Sequence, residues 1–239
     1  MERIFRFKQF SLSDHGAAMK IGTDAVLLGS LAATQSAGTV LDVGTGSGII
    51  ALMVAQKTGT QIDAIEPDKE AALQAQRNFS CSPWPEKLSL FRSTLQEFVP
   101  ENNLQYDLII CNPPYFQNSL RNAHESKAMA RHNVGLLPEE MFLHVARLLS
   151  PKGSFMMIYP AGKESELDLS AKQRGLLLKE RWMIHPMPGK PVKRIVQTYV
   201  RDASTPPAPL IHSFCIETLN RHEFSSEYKN LTADYHPFL

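Results

Sequence analysis

No stretch of this chain approaches 18 consecutive apolar residues, and Met1 to Phe10 lacks the apolar centre of a signal peptide. We therefore expect no membrane span, and a soluble protein of the cytoplasm. Cysteine is scarce: Cys81, Cys111 and Cys215 are odd in number, far apart and without the spacing of metal ligands. That predicts a reducing compartment, no disulfide frame and no metal. Neither sign of charge is in excess, since 25 Lys and Arg stand against 24 Asp and Glu, a formal net charge of +1. The global charge names no partner, so any basic surface must be local. Internal repeats are missing, as are the P-loop, the zinc-protease helix and the nucleophile elbow, which removes those enzyme classes. What remains is a globular composition, 43% hydrophobic over 239 residues, enough to bury a sizeable core as one α/β domain or two small ones.

The most informative stretch is Asp107-Leu-Ile-Ile-Cys-Asn-Pro-Pro-Tyr-Phe116. Its first half is a short apolar run with β-branched residues, the pattern of a buried strand. Its second half is a turn made rigid by two prolines, each with fixed φ and no amide proton. Asn112 thus ends a strand with its side-chain amide and the neighbouring carbonyls held in place. Such a turn can accept two hydrogen bonds from a planar amine, through Asn112 Oδ1 and the Pro113 carbonyl, while Tyr115 stacks on the ring and Phe116 adds a second flat face.

A second stretch, Thr39 to Leu52, reads as a strand running into a glycine-rich turn and then a helix to about Lys57. Glycines there let the backbone approach a ligand closely, and a helix N-terminus adds free amides. Gln61 to Glu66 reads as the next strand, ending in an acid about 20 residues after the glycines, where a carboxylate can accept from both hydroxyls of a ribose. Two nucleoside cofactors fit that layout. The dinucleotide fingerprint fails, because its third glycine falls on Ile49. Asp42-x-Gly44-x-Gly46-x-Gly48 matches the S-adenosylmethionine loop, with Asp42 and the loop backbone, Thr45 included, facing the methionine ammonium and carboxylate.

The remaining pattern alternates. Residues 1–20 predict one or two short strands at an edge, and Thr23 an N-cap for a short apolar helix. Helices are expected over 68–80, 138–150 and 164–175, and strands over 88–92, 106–111, 154–159, 176–185 and 194–201. The tail from Pro206 is polar and weakly patterned. Alternation of this kind predicts a mostly parallel sheet covered by helices, with ligands beyond the carboxyl strand ends where the winding reverses. Reversal after the third strand would make the glycine strand and the Asn112 strand neighbours.

The loop Asp42-x-Gly44-x-Gly46-x-Gly48, Glu66 and Asn112-Pro113-Pro114-Tyr115 resemble class I S-adenosylmethionine-dependent methyltransferases acting on exocyclic amines or amide nitrogens. More narrowly, Phe7-Lys-Gln-Phe10, Met19-Lys-Ile-Gly-Thr-Asp24 and Ala130-Arg-His132 are similar to bacterial tRNA (adenine-N6)-methyltransferases that act beside the anticodon of a valine tRNA. The resemblance implies a Rossmann-like sheet of seven strands with helices on both faces. It implies one domain over 1–239, with residues 1–35 capping cofactor and substrate and 203–239 a tail. It also implies S-adenosylmethionine as cofactor, tRNA as partner, and a monomer. Lys20, Thr23 and Asp24 join the cofactor residues. Where relatives carry an acid after the third strand to hold the adenine, this chain has Thr94, leaving Gln96 or Glu97 for that role. A protein glutamine or an amine in ribosomal RNA or DNA is an alternative acceptor for the same turn. A non-catalytic RNA-binding module is the alternative from another class.

Two segments concentrate positive charge. Residues 179–201 hold Lys179, Arg181, Lys190, Lys193, Arg194 and Arg201 against Glu180 alone, and Arg121, Lys127 and Arg131 follow Tyr115, with His132 beside them. Phosphate contacts are expected from Lys190, Lys193 and Arg194 and from the loop cations.

Overall fold

The computed structural model describes residues 4–14, 21–113, 136–201, 208–220 and 222–237. The sequence is written most plainly in the middle of the sheet. Short apolar runs form β3 (Thr39–Val43), β4 (Gln61–Ile65), β5 (Leu88–Phe91) and β6 (Tyr106–Cys111). All of them pair in parallel, in the order β6-β3-β4-β5. Neighbouring residues in these strands supply opposite faces, as the pleat requires. Val40, Leu108 and Ile110 enter one core, while Leu41, Ile109 and Cys111 enter the other.

The first core is covered by α1 (Thr23–Ala32), α2 (Ile49–Lys57) and α3 (Lys69–Ser80). The second is covered by α4 (Pro138–Leu148) and α5 (Glu164–Lys172). In α4, Met141, Val145 and Leu148 are buried at helical spacing, as the sequence predicts. That helix ends at Leu148 rather than at Ser150, because Leu149 already pairs with Tyr106 and opens β7 (Leu149–Pro160). Register shifts between Tyr106 and Leu108, so Pro151 falls in an irregular stretch of the ladder, where proline is tolerated. The Asp68 side chain caps α3 by accepting from the Ala71 amide at 2.9 Å. Gly22, not Thr23, is the N-cap of α1, and Thr23 is its first helical residue.

Beyond β7 the chain turns back through β8 (Leu176–His185) and β9 (Arg194–Arg201), both predicted with these bounds. β9 lies antiparallel between β7 and β8. The tail is more ordered than expected. Leu210–Cys215 is a further strand, β10, parallel to β8, and Ser226–Thr232 is a helix, α6. The central sheet therefore has eight strands, β10-β8-β9-β7-β6-β3-β4-β5, rather than seven. The N-terminal segment forms a separate hairpin of β1 (Ile4–Arg6) and β2 (Ser11–Ser13). It meets the tail directly: the Lys8 amide donates to the Tyr235 carbonyl at 2.9 Å, and Lys8 Nζ to that of Ala233 at 2.6 Å.

No helix among the described residues is long and apolar enough to cross a membrane.

Candidate active site

β3 and β6 are parallel neighbours, with Val43 opposite Cys111. The glycine turn and the Asn112 turn therefore leave adjacent strand tips on the same edge of the sheet, where the winding reverses. Asn112 is half-buried and Pro113 buried. Cys111, just below them, is no nucleophile: burial and then the nearby Asp42 charge push its thiol far up.

The glycine turn is stitched to the end of β4. The Gly44 and Thr45 amides both donate to the Ile65 carbonyl, at 2.9 and 3.1 Å. Glu66, 8% exposed, accepts from the Gly46 amide at 2.9 Å and from the Asp68 amide at 3.0 Å. Burial raises its pKa, and those two amides oppose the rise. Gly44, Gly46 and Gly48 all have positive φ, at 68°, 56° and 86°. A side chain at Gly48 would strike the Phe79 ring of α3, whereas at Gly44 and Gly46 it would meet nothing within 4 Å. Gly48 serves packing; the other two leave the turn open on its outer side.

Asp42 lies beneath this turn, 1% exposed. Its Oδ2 accepts the Thr45 hydroxyl at 2.6 Å, and its Oδ1 is buried with no hydrogen-bond partner among the described residues. Burial raises its pKa to about 6, although the Thr45 hydroxyl pulls it back. A buried acceptor without a donor, a carboxylate at the next strand tip and an open glycine turn fit a cationic amino acid joined to a nucleoside.

At the tip of β5, the Thr94 hydroxyl donates to Glu97 Oε2 at 2.9 Å and accepts from the Glu97 amide at 3.2 Å. The Glu97 carboxylate is thereby folded back beside Thr94, where the resemblance expects an acid; Gln96 and Glu97 are both exposed. Asp24, at the start of α1, is held by Arg194: Nε donates to Oδ2 at 2.7 Å. Its guanidinium also donates to the Lys193 carbonyl at 3.0 Å, so a phosphate at Arg194, as the sequence expects, would compete with a carboxylate already in place. Arg181 is likewise engaged, with Asp168, and Arg201 donates to the Ala146 and Leu149 carbonyls. Of the basic run, Lys190 and Lys193 remain exposed, between β8 and β9. Pro160 pairs with Arg194, so this connection stands at the same sheet edge as Asn112. Lys20, Tyr115, Phe116, Arg121, Lys127, Arg131 and His132 lie outside the described residues.

Sequence reasoning missed Asn78. Its Nδ2 donates to the Ser47 carbonyl of the glycine turn at 2.7 Å and to the Ser13 carbonyl of β2 at 2.8 Å, while Oδ1 accepts from the Ser13 amide at 3.1 Å. It ties the N-terminal hairpin to the turn. The available signal was Gln74 and Asn78, polar residues four apart on the face that carries Ala71, Ala75 and Phe79. No group of three or more His, Cys, Asp or Glu among the described residues could hold a metal ion.

The sequence and the fold are similar to those of known proteins. A tRNA1(Val) (adenine(37)-N6)-methyltransferase of Phocaeicola vulgatus is 39% identical over 233 residues, 97% of each chain. The protein of that name from Parabacteroides distasonis is 35% identical over 232 residues, again 97% of each. Among solved structures, one described as a predicted O-methyltransferase from Agrobacterium tumefaciens aligns with a TM-score of 0.67 at 20% identity, covering 89% of this chain and 96% of that one. The Thermus thermophilus 16S rRNA N2 G1207 methyltransferase, solved with AdoMet and guanosine, aligns with a TM-score of 0.56 at 16% identity, covering 84% of this chain and 50% of its own. These likenesses to solved structures concern the fold. The methyltransferase small domain family matches residues 16–172, well over half of the sequence, and the chain belongs to that family.

Proposed function

We propose that this chain methylates the exocyclic N6 of an adenine in tRNA, adenine 37 of a valine tRNA, with S-adenosylmethionine as the methyl donor. It would act in the cytoplasm as a monomer, with residues 1–239 forming one methyltransferase domain capped by its first 35 residues. The observation that carries the reading is the adjacency of the Asp42–Gly48 turn and the Asn112-Pro113 turn on neighbouring strands. The names of the relatives, matched over 97% of their length, supply the acceptor.

S-adenosylmethionine supplies an electrophilic methyl group on a sulfonium. The chain's own residues do the rest. Asp42 Oδ1 accepts from the ammonium, Glu66 from the ribose hydroxyls, and Glu97, folded back on Thr94, from the adenine amine. Lys20, Thr23 and Asp24 border the methionine end, with Asp24 fixed by Arg194. The acceptor amine is a weak nucleophile, because its lone pair is delocalised into the ring. Asn112 Oδ1 and the Pro113 carbonyl hold both N–H bonds and turn the lone pair toward the methyl group. They also stabilise the positive charge that develops on nitrogen, which then loses its proton to water. Tyr115 and Phe116 replace the stacking lost when the base leaves its neighbours.

The test is nucleoside mass spectrometry of tRNA incubated with the protein and S-adenosylmethionine. N6-methyladenosine is expected, and Asn112→Ala should lower turnover by about two orders of magnitude or more with S-adenosylhomocysteine affinity near normal. Methyl transfer to protein glutamine with none to RNA would overturn the assignment.

A further inference from the structure

At the same sheet edge, but on the far side of β7 and β9, the β8–β9 connection and the residues after β10 border an open cavity of about 620 Å³. Pro186, Met187, Pro191 and Leu219 form apolar walls, and Lys190, Lys193 and Glu217 supply the charge. We infer that this cavity is a second RNA subsite, which holds one unstacked nucleotide near, but distinct from, the methylated adenosine. The inference rests on the RNA reading above.

Three observations carry it. The cavity is preformed. Met187-Pro188-Gly189-Lys190 is a tight turn closed by the Lys190 amide on the Met187 carbonyl at 3.2 Å, with Gly189 at φ 75°. His185 Nδ1 pairs with the Lys190 carbonyl at 2.7 Å, and the Glu217 amide donates to that of Pro186 at 2.9 Å. The opposite wall is thus bound to the first, and the volume lies within the range of small-ligand pockets. Its chemistry is that of a nucleotide site: apolar faces for a base, with two exposed ammonium groups for its phosphate and neither in an ion pair among the described residues. Its place is that of a neighbouring nucleotide. β8 stands three strand steps from β6, roughly 14 Å at the usual spacing, so an RNA strand reaching Asn112 continues over it. The cavity also lies outside residues 16–172, the stretch matched by the methyltransferase small domain family.

Leu219 is 79% exposed, so Leu219→Glu should fold; S-adenosylhomocysteine affinity checks this. Binding is measured for wild-type protein and Leu219→Glu on full-length tRNAs, each with one abasic site near the acceptor adenosine. One abasic position should weaken wild-type binding about tenfold, Leu219→Glu should do the same, and the two together should cost no more than either. Met187→Glu should repeat the pattern. Additive losses at every position, or variants that bind each tRNA as wild type does, would overturn the subsite and leave the methylation reading standing. Wild-type protein that neither binds nor methylates tRNA would remove both.

Discussion

Two carboxylates of this protein, Asp42 and Asp168, are treated in opposite ways. Asp168, on α5, is saturated. The Arg181 guanidinium reaches both of its oxygens, at 2.9 and 2.7 Å, the Tyr199 hydroxyl donates at 2.9 Å and Gln197 Nε2 at 3.1 Å. The donors come from β8 and β9, so the acid fastens α5 to the sheet. Asp42 has one hydroxyl donor on Oδ2, no well-formed hydrogen bond on Oδ1 although the Ala51 amide is close enough to lower its pKa, and Glu66 rather than a cation as its charged neighbour. Folding alone does not explain such an acid, since a buried charge without a countercharge destabilises the structure that contains it. On the function proposed above, the difference separates an acid that holds the fold from one that receives a cationic ligand.

The sharpest test exchanges the consequences. Asp168→Ala leaves the Arg181 and Tyr199 donors without their carboxylate, while Gln197 keeps the Tyr199 hydroxyl at 2.6 Å, and should cost about 2–3 kcal/mol of stability in denaturant unfolding. The exposure of Asp168, 38% of its side chain, keeps the loss below that of a fully buried pair. Affinity for S-adenosylhomocysteine, measured on the folded protein, should not change. Asp42→Asn should do the reverse: equal or higher stability, and cofactor affinity weaker by about 1–2 kcal/mol. Equal stability losses in the two variants would erase the distinction.

The same contrast has a pH signature. Asp42 is raised from 3.8 to about 6 in the folded protein, so its protonated form favours folding. That contribution is fully present below pH 3.8 and is lost as pH rises through about 6. Cofactor binding runs the other way, because an ammonium group needs the ionised carboxylate. Affinity should fall as pH drops below about 6, by at most tenfold per unit, and Asp42→Asn should remove that part of the profile. Glu66 is also raised, so a residual slope from the second carboxyl should survive in the variant. Calorimetry in two buffers of different ionisation enthalpy would report the proton released on binding. No release at pH 6 in wild-type protein would contradict the role given to Asp42.

How far each region could be read from sequence follows the range of its interactions. The glycine turn, the Asp68 cap, the β6 strand and its Asn112-Pro113 exit depend on residues close in sequence, and local chemistry specifies them. β10 does not. It is an edge strand paired only with β8, with Leu210 and Ile211 each 56% exposed and Phe214 its buried residue, so no alternation marks it. Helix α6 is seven residues long, and its neighbours include the tail residues that pack on α2, where the Tyr235 hydroxyl donates to the Met53 carbonyl at 3.0 Å. Counting charges along residues 179–201 does not reveal which of them are engaged within the fold, for a related reason. The carboxylate partners of Arg181 and Arg194 lie 13 and 170 residues away and the Ala146 carbonyl that Arg201 reaches lies 55 away, and no local pattern announces them. Asn78 was missed because Ser13 and Ser47 become its partners only once hairpin, turn and helix have met.

The smallest expected effect separates those engaged arginines from the exposed lysines. Asp24 and Arg194 keep 28% and 32% of their side chains exposed, so their ion pair is worth about 0.5–1 kcal/mol, and Arg194→Ala should lower stability by no more than that. Because the guanidinium already faces a carboxylate, removing it should leave the salt dependence of tRNA binding nearly unchanged. Replacing Lys190 and Lys193 with glutamate should flatten the plot of log affinity against log salt by about two units, since each phosphate contact that is lost no longer releases its counterion. Stability should stay within about 0.5 kcal/mol of wild type, because both side chains are exposed. A slope that shifts in Arg194→Ala and not in the lysine variant would invert the assignment. It would mean that Arg194 leaves Asp24 when RNA binds, and that the start of α1 moves with it.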